Sequence, residues 1–124
     1  MSDTDRREQQ AKGLMAAIVE SSEDAIVSKT LDGVVTSWNK AAERIFGYEA
    51  AEMVGRPIAL LATPETADEM PRILDAIGRG ERIAHYETRR RCKDGRTIDV
   101  ALTISPIRDA AGSIVGASKI ARDI

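Results

Sequence analysis

The fold is decided by the stretch Trp38-Asn39-Lys40-Ala41-Ala42-Glu43-Arg44-Ile45-Phe46-Gly47-Tyr48. Asn39 is a residue type that caps helices, because its side-chain oxygen accepts a hydrogen bond from a free backbone N–H of the first turn. Gly47 readily takes the left-handed conformation in which many helices end. The stretch therefore predicts a short helix over residues 40–46, bounded by Asn39 and Gly47.

A hairpin is predicted immediately before this helix. The runs 24–29 and 34–38 are rich in β-prone residues, and Leu31-Asp32-Gly33 lies between them. Two such runs joined by Asp-Gly are typical of a β-hairpin.

Residues 1–20 carry a helical apolar face. Ala11, Leu14, Met15, Ile18 and Val19 follow the spacing that lines one side of a helix. We therefore divide the chain into an N-terminal capping or dimerisation helix, 1–20, and a domain, 21–124. Leu14 and Ile18 are the candidate dimer contacts, and the pattern leaves open whether this helix caps the core or pairs with a second copy.

A second short helical turn is predicted over residues 50–54, followed by a longer helix that ends at Gly78. The start of the longer helix has two alternatives. Thr66 and Glu69 resemble a capping box. Pro71 allows either a start near Met70 or a kinked helix from Thr66.

The last third of the chain is predicted to be β-structure. Strands are expected over residues 82–91 and 113–120. Between them, apolar residues alternate with polar ones from Ile98 to Ile104, which indicates a strand with one buried face. Strands grouped at both ends of a chain, with helices between them, predict an α+β domain with an antiparallel sheet.

Composition narrows the classes of function. The 124 residues include 43% hydrophobic and 31% charged residues, with a formal net charge of −2, and such a balance does not favour nucleic acid. The longest apolar runs, such as 58–62, are far shorter than the ~20 residues of a membrane span. Cys92 is the single cysteine, which excludes an internal disulfide and favours a reducing, cytoplasmic setting.

These residues and their order resemble the PAS family of sensory domains. The stretch 38–48 is similar to the family's W-N-x-A-A-E-x-x-F-G-Y signature. Four further matches are the E-x-x-G-x-P turn at 52–57, the R-x-K-D-G hairpin at 90–95, the final hairpin at 105–116, and the start of an R-D-I-T junction at 121–124. The sequence of residues 117–124 is most similar to that of PAS domains of bacterial sensor histidine kinases.

The resemblance implies the PAS fold, a five-stranded antiparallel sheet of order 2-1-5-4-3 with short helices on one face. It also implies a non-catalytic regulatory module that perceives a small-molecule, redox or gas signal. The signal would leave through the last strand, at Arg122 and Asp123, to an effector domain of a two-component phosphorelay that regulates transcription. The alternative is a ligand-free dimerisation or protein-interaction module. A small enzyme on the same sheet is disfavoured because no acid, base and nucleophile cluster together.

The resemblance further implies an ion pair between Glu43 and Lys93. Apolar residues from several elements could line a ligand pocket between sheet and helices, or close the core without one. They are Ile26, Ile45, Leu61, Leu74, Ile77, Leu102 and Ile104.

No cofactor is assigned. Haem-binding relatives carry their histidine on the longer helix, which here has none, and His85 is predicted on a strand instead. The light-sensing flavin branch has a cysteine before that helix, whereas residues 57–61 lack one. Flavin held without a cysteine, or another small ligand, stays an open alternative, and no metal site is expected. The basic run around the hairpin is interpreted as solvated; it comprises Arg89, Arg90, Arg91, Lys93 and Arg96.

Overall fold

The computed structural model describes residues 22–124. The predicted N-terminal helix, with Leu14 and Ile18, lies outside the described residues. The elements are β1 (Ala25–Thr30), β2 (Val35–Trp38), α1 (Lys40–Phe46), α2 (Ala50–Met53), α3 (Glu69–Gly78), β3 (Ile83–Arg91), β4 (Thr97–Arg108) and β5 (Ile114–Asp123). Two short 3-10 turns, Ile58–Leu61 and Pro64–Thr66, connect α2 to α3.

The five strands form one sheet in the order β2-β1-β5-β4-β3. Every neighbouring pair is antiparallel. The predicted α+β class and strand order are confirmed. β5 lies at the centre of the sheet, between β1 and β4, although it comes last in the chain.

Asn39 caps α1 as predicted and also ties it to the sheet. Its Oδ1 accepts hydrogen bonds from the N–H of Ala42 at 3.0 Å and from the N–H of Ile26 at 2.9 Å. Its Nδ2 donates to the carbonyl of Asp24 at 3.0 Å. At the other end, Gly47 has a φ of 83° and its N–H donates to the carbonyl of Glu43. One capping residue therefore fixes α1 against the start of β1.

The longer helix begins at Glu69, which selects the start near Met70 over the kinked alternative. Pro71 lies in the first turn, where the backbone N–H has no helical acceptor, so the proline costs the helix little. Thr66 does not cap this helix, because its Oγ1 accepts from the N–H of Thr63 at 2.9 Å. The resemblance to a Thr66–Glu69 capping box was therefore misleading.

The core lies between the helices and the sheet face that is turned toward them, which we call the interior face. Its largest apolar members are fully or almost fully buried; they include Phe46, Met53, Ile58, Leu61, Ile77, Leu102 and Ile104. Among residues 22–124, no helix is both long and apolar enough to cross a membrane.

Gly116 lets β5 approach β1 closely. A Cβ built on Gly116 would lie 2.4 Å from the carbonyl oxygen of Lys29, a backbone atom that cannot move without disturbing the strand pair. We expect Gly116→Ala to lower the free energy of unfolding by about 1–3 kcal/mol, the usual cost of overpacking. Chemical denaturation measures this change.

Gly78→Ala is the matched control for this substitution. Nothing lies within 4 Å of a Cβ built on Gly78 at the end of α3. Alanine there should be neutral or stabilising by up to about 1 kcal/mol, because it restricts the unfolded chain. Equal stability of Gly116→Ala and the wild type would show that the strands are not held at this distance.

Candidate functional site

The predicted pocket residues divide into three groups. Leu61, Ile77, Leu102 and Ile104 are fully buried in the core. Ile45 and Leu74 are half-buried at its edge, and Leu74 borders a surface groove with Gly33 and Met70. The third group is Ile26 alone.

Ile26 does not belong to the interior face. It is half-buried and pairs across the sheet with Ile120, which is 41% exposed. Its neighbours Ala25 and Val27 are the fully buried residues of β1. Because side chains alternate along a strand, Ile26 lies on the outer face, and its assignment to the pocket was wrong.

Three basic side chains lie on the interior face where the sequence pattern predicted none. Lys29 of β1 and Lys119 of β5 are each 1% exposed, and Arg90 of β3 is 0% exposed. We call these three residues the cationic cluster. Lysine and arginine are almost never fully buried unless they are paired, so this cluster is the most unusual feature of the described residues.

The register explains how the two lysines meet. Lys29 pairs with Ala117, and Lys119 pairs with Val27 two positions along the same strands. The lysines are therefore diagonal neighbours on one face of an antiparallel pair, a separation that long side chains span easily. Lys119 Nζ also lies 5.8 Å from the centre of the Phe46 ring, a cation–π contact.

Among the residues that the structure describes, Arg90 has one anionic partner, Glu69 of α3. Its Nη1 donates to Glu69 Oε1 at 3.1 Å and to the carbonyl of Arg89 at 2.7 Å. The hydroxyl of Thr88 also lies 2.8 Å from each oxygen of the same carboxylate. This buried ion pair joins α3 to β3.

The cluster is under-neutralised. The buried charged residues among 22–124 are three basic residues, Lys29, Arg90 and Lys119, and one acidic residue, Glu69. In the same range, Lys29 Nζ, Lys119 Nζ and the Nε and Nη2 atoms of Arg90 have no hydrogen-bond partner in the protein. Three basic groups thus face one carboxylate in a region shielded from water.

This arrangement shifts the ionisation of all three groups. Burial, together with the charge of Arg90, lowers the pKa of Lys29 from 10.5 to about 8. Burial lowers the pKa of Lys119 well below 10.5, and the charges of Lys29 and Arg90 lower it further. Burial also lowers the pKa of Arg90, although the hydrogen bond and charge of Glu69 oppose this. Each shift has the sign expected for a cation removed from water.

The shift at Lys29 makes stability depend on pH. The folded pKa of about 8 lies below the ordinary value of 10.5, so the unfolded chain binds more protons between these values. The free energy of unfolding should therefore rise with pH through that window. Arg90 and Lys119 interact electrostatically with Lys29, and Glu69 and Tyr86 in turn interact with Arg90. Lys29→Met should flatten this rise in urea denaturation curves measured across the window.

Lys40→Met is the control for this measurement, since Lys40 is exposed on α1 and its side chain is 67% accessible. Its pH profile should run parallel to that of the wild type. If the free energy of unfolding of Lys29→Met rises with pH at the same slope as that of the wild type, other groups cause the pH dependence.

The expected Glu43–Lys93 ion pair is not found in the structure. Lys93 Nζ bonds Glu52 Oε1 instead. Glu43 Oε2 accepts from the N–H of Ala50 at 2.7 Å, and Oε1 lies 3.7 Å from Lys40 Nζ. The Glu43 carboxylate is thus bound to the backbone at the start of α2. Glu52, within α2, is therefore the acid that pairs with Lys93.

Two candidate reactive residues have ordinary surroundings. Cys92 is buried just after β3, its Sγ donates to the carbonyl of Ile45 at 3.3 Å, and burial raises the pKa of its thiol. A raised pKa disfavours the reactive thiolate. His85 is exposed on the outer face at a bulge in β3, with a φ of 55°.

Arg90 corrects the interpretation of the basic run. Its neighbours Arg89 and Arg91 are exposed, as are Lys93 and Arg96, whereas Arg90 is fully buried. The alternation of β3 could have suggested this, because Arg90 has the same parity as Tyr86 and Thr88, which are half-buried.

The predicted transmission residues lie at the end of β5. Arg122 Nη2 is 3.3 Å from Asp24 Oδ2, at the start of β1. Asp123 is exposed and pairs with Val100 of β4. The strand therefore leaves the sheet beside the first residues of β1.

An antiparallel sheet of this order, with short helices on one face, places the chain in a defined class of α+β domains. The profile of the family described as the PAS fold matches residues 13–124. The chain therefore belongs to the PAS family of sensory domains.

Known relatives agree with this assignment. The signal transduction histidine-protein kinase AtoS of Escherichia coli is 32% identical over 107 residues, which make up 86% of this chain and 17% of the kinase. The crystal structure of a PAS domain from Colwellia psychrerythraea has a TM-score of 0.83 and 28% identity, covering 92% of this chain and 97% of that one. The PAS domain of an HTR-like protein from Haloarcula marismortui has a TM-score of 0.80 and 23% identity, covering 98% of each chain. The chain is thus related to the sensor domains of histidine kinases.

Proposed function

We propose that the chain is the sensory and regulatory module of a bacterial histidine kinase. In this function it holds a small molecule in its interior and relays the bound state through β5 to an effector domain. The observation that carries the proposal is that one strand, β5, bears both an interior functional group and the exit from the sheet. The similarity to AtoS, a signal transduction histidine-protein kinase, supports a kinase effector. The proposal places this effector in a cytoplasmic two-component phosphorelay that regulates transcription, as the resemblance to the PAS family implies.

β5 is suited to such a relay. Lys119 faces the interior from this strand, and Arg122 contacts Asp24 at its end. Hydrogen-bonded neighbours hold β5 on both sides, so a shift at Lys119 would reach Arg122 and Asp123 through the backbone. A ligand can drive such a shift only if it binds the two positions of the strand with different affinity.

Two measurements test the proposal. Native mass spectrometry, with an absorbance spectrum, of protein purified without added cofactor identifies a bound small molecule such as a flavin. Hydrogen exchange is then compared with and without the ligand, and we expect changed protection at the amides of residues 119–123. A bound ligand that leaves exchange at these amides unchanged contradicts relay through β5.

The outer face of the sheet favours dimerisation as a second candidate function. Ile26 and Ile120 are cross-strand partners there, and Ile120 is 41% exposed. An apolar pair on a sheet face favours burial against another surface, which in a homodimer would be the second copy.

Ile120→Glu tests this candidate. We expect the wild type to be a dimer by light scattering and Ile120→Glu to be a folded monomer. The control is Val54→Glu, which places a charge on an exposed apolar residue just after α2, outside the strands of the sheet. A monomeric wild type, or a variant that stays dimeric, contradicts a dimer formed through this face.

A further inference from the structure

We propose that the cationic cluster recognises a small carboxylate, held between the free edge of the Arg90 guanidinium and the ammonium groups of Lys29 and Lys119. This inference rests on the proposed sensory function and names its ligand class. It is carried by the donors that the protein itself leaves unpaired in the interior of residues 22–124.

Arg90 supplies the directional part of this site. Glu69, Thr88 and the backbone occupy Nη1 alone. Nε and Nη2 make no hydrogen bond within the described residues. These two atoms form one planar edge of the guanidinium, with two parallel N–H donors at the spacing of the two oxygens of a carboxylate. The edge that matches a carboxylate is therefore the edge left free.

The two lysines supply charge. Each Nζ has three donors, and neither ammonium has a hydrogen-bond partner within residues 22–124. Lys119 Nζ lies 5.8 Å from the centre of the Phe46 ring, a contact that leaves its N–H donors free to bond an anion. Both lysines interact electrostatically with Arg90, which shows that the three groups share one region.

Charge balance favours an anion over a neutral ligand. Within the described part of the chain, the three basic groups face a single buried carboxylate, Glu69. An isolated buried cation is costly unless it is paired and hydrogen-bonded. A bound carboxylate would neutralise part of the excess and raise the depressed pKa values of the lysines. A neutral ligand would leave the repulsion among the cations unchanged.

A cleft beside Glu69 suggests the access route of the ligand. It has a volume of about 260 Å³ and lies between α3 and β3, lined by Glu69, Arg72, Ile73, Ile83 and Tyr86. Glu69 thus borders the cleft with one side and bonds Arg90 with the other. The volume lies below the ~300–1,000 Å³ of sites for drug-sized molecules, which favours a small molecule at this entrance.

The test measures binding of acetate, malonate and succinate by titration calorimetry and thermal shift, at constant ionic strength. Acetamide and malonamide are the uncharged controls of matched shape, and inorganic phosphate is the competing oxyanion. We expect at least one carboxylate to bind saturably and the amides not to bind. Lys119→Met should weaken that binding by about tenfold or more, the loss of one charge-assisted hydrogen bond.

Two further variants complete the test. Arg90→Lys keeps the charge but loses the two-donor edge, and it should also weaken carboxylate binding by about tenfold or more. Arg91→Met removes an exposed cation next to it in sequence and should leave affinity unchanged. Lys119→Met removes an unpaired buried charge, so we expect it to fold and to be more stable than the wild type without ligand.

Several outcomes would overturn the proposal. They are the absence of binding by every carboxylate, binding by phosphate alone, and carboxylate affinity that is equal in the wild type and Lys119→Met. Failure of the broader sensory function looks different. A carboxylate that binds through the cluster without changing hydrogen exchange in β5 would support the ligand class and contradict the relay. An uncharged co-purified ligand that changes exchange in β5 would do the reverse.

Discussion

Glu69→Gln is expected to be among the most destabilising single changes in the domain, although it alters almost no volume. It removes the one buried carboxylate among residues 22–124 and leaves Arg90 with Lys29 and Lys119. Removing one partner of a buried ion pair costs about 3–5 kcal/mol, because the other charge stays buried without compensation. Urea denaturation should show this loss as a lower midpoint with an unchanged slope.

A control and a double variant separate charge from packing in this experiment. Asp68→Asn, one residue earlier, removes an exposed carboxylate that is 3.8 Å from Arg72, and stability should hardly change. The double variant Glu69→Gln with Arg90→Met has no unpaired guanidinium. It should therefore recover much of the free energy of unfolding that Glu69→Gln loses. If the double variant is less stable than either single variant, the cost of Glu69→Gln does not come from uncompensated charge.

Phe46→Ala should lower the free energy of unfolding by about 3–5 kcal/mol, the usual cost of truncating a buried aromatic residue. Phe46 is fully buried at the end of α1, and its ring centre lies 5.5 Å from that of Trp38. Its carbonyl also accepts from the N–H of Lys93, which joins α1 to the β3–β4 hairpin. Thermal and urea unfolding both measure the loss.

Phe46→Leu distinguishes the two contributions of this ring. Leucine keeps most of the apolar contact but removes the π face beside Lys119. A double-mutant cycle of Phe46→Leu with Lys119→Met measures the coupling between the two side chains. We expect a coupling of about 0.5–2 kcal/mol, as for other cation–π pairs. A coupling of zero would mean that the buried ammonium gains nothing from the ring.

The elements of this domain could be predicted because their determinants are local. Asn39 and Gly47 bound α1 through hydrogen bonds within a few residues. The alternation from Ile98 to Ile104 gave the buried face of β4 correctly, since each apolar residue there has polar or small neighbours. Strand order came from the resemblance to the PAS family, and the structure agrees with it.

Which residues of β1 face the core could not be predicted in the same way. Ala25, Ile26 and Val27 are three consecutive apolar residues, so period-two alternation does not show which of them face the helices. The choice depends on pairing with β5 and on the Asn39 side chain that bonds the Ile26 N–H. Both contacts join residues far apart in sequence.

The ion-pair partner of Lys93, in the β3–β4 hairpin, could not be predicted from the sequence either. Glu43 and Glu52 are both acids that reach the same region, and their spacing in sequence does not rank them as partners of Lys93. Glu43 was the expected partner, but its carboxylate receives the N–H of Ala50 at the start of α2. The local backbone geometry, known only from the structure, leaves Glu52 as the partner of the lysine.

Sequence alone determined the α+β class, the capped helix α1, the strand pattern of β4 and the membership in a sensory family. The first three follow from local hydrogen bonding and from the periodicity of apolar residues, whereas the family membership rests on the resemblance of the sequence motifs. Only the tertiary structure decided that Lys29, Arg90 and Lys119 share the interior. A charged residue in a strand is expected to face water, and its burial depends on what packs over it. Here helices and strands distant in sequence cover all three residues, so the candidate ligand site exists only in the folded chain.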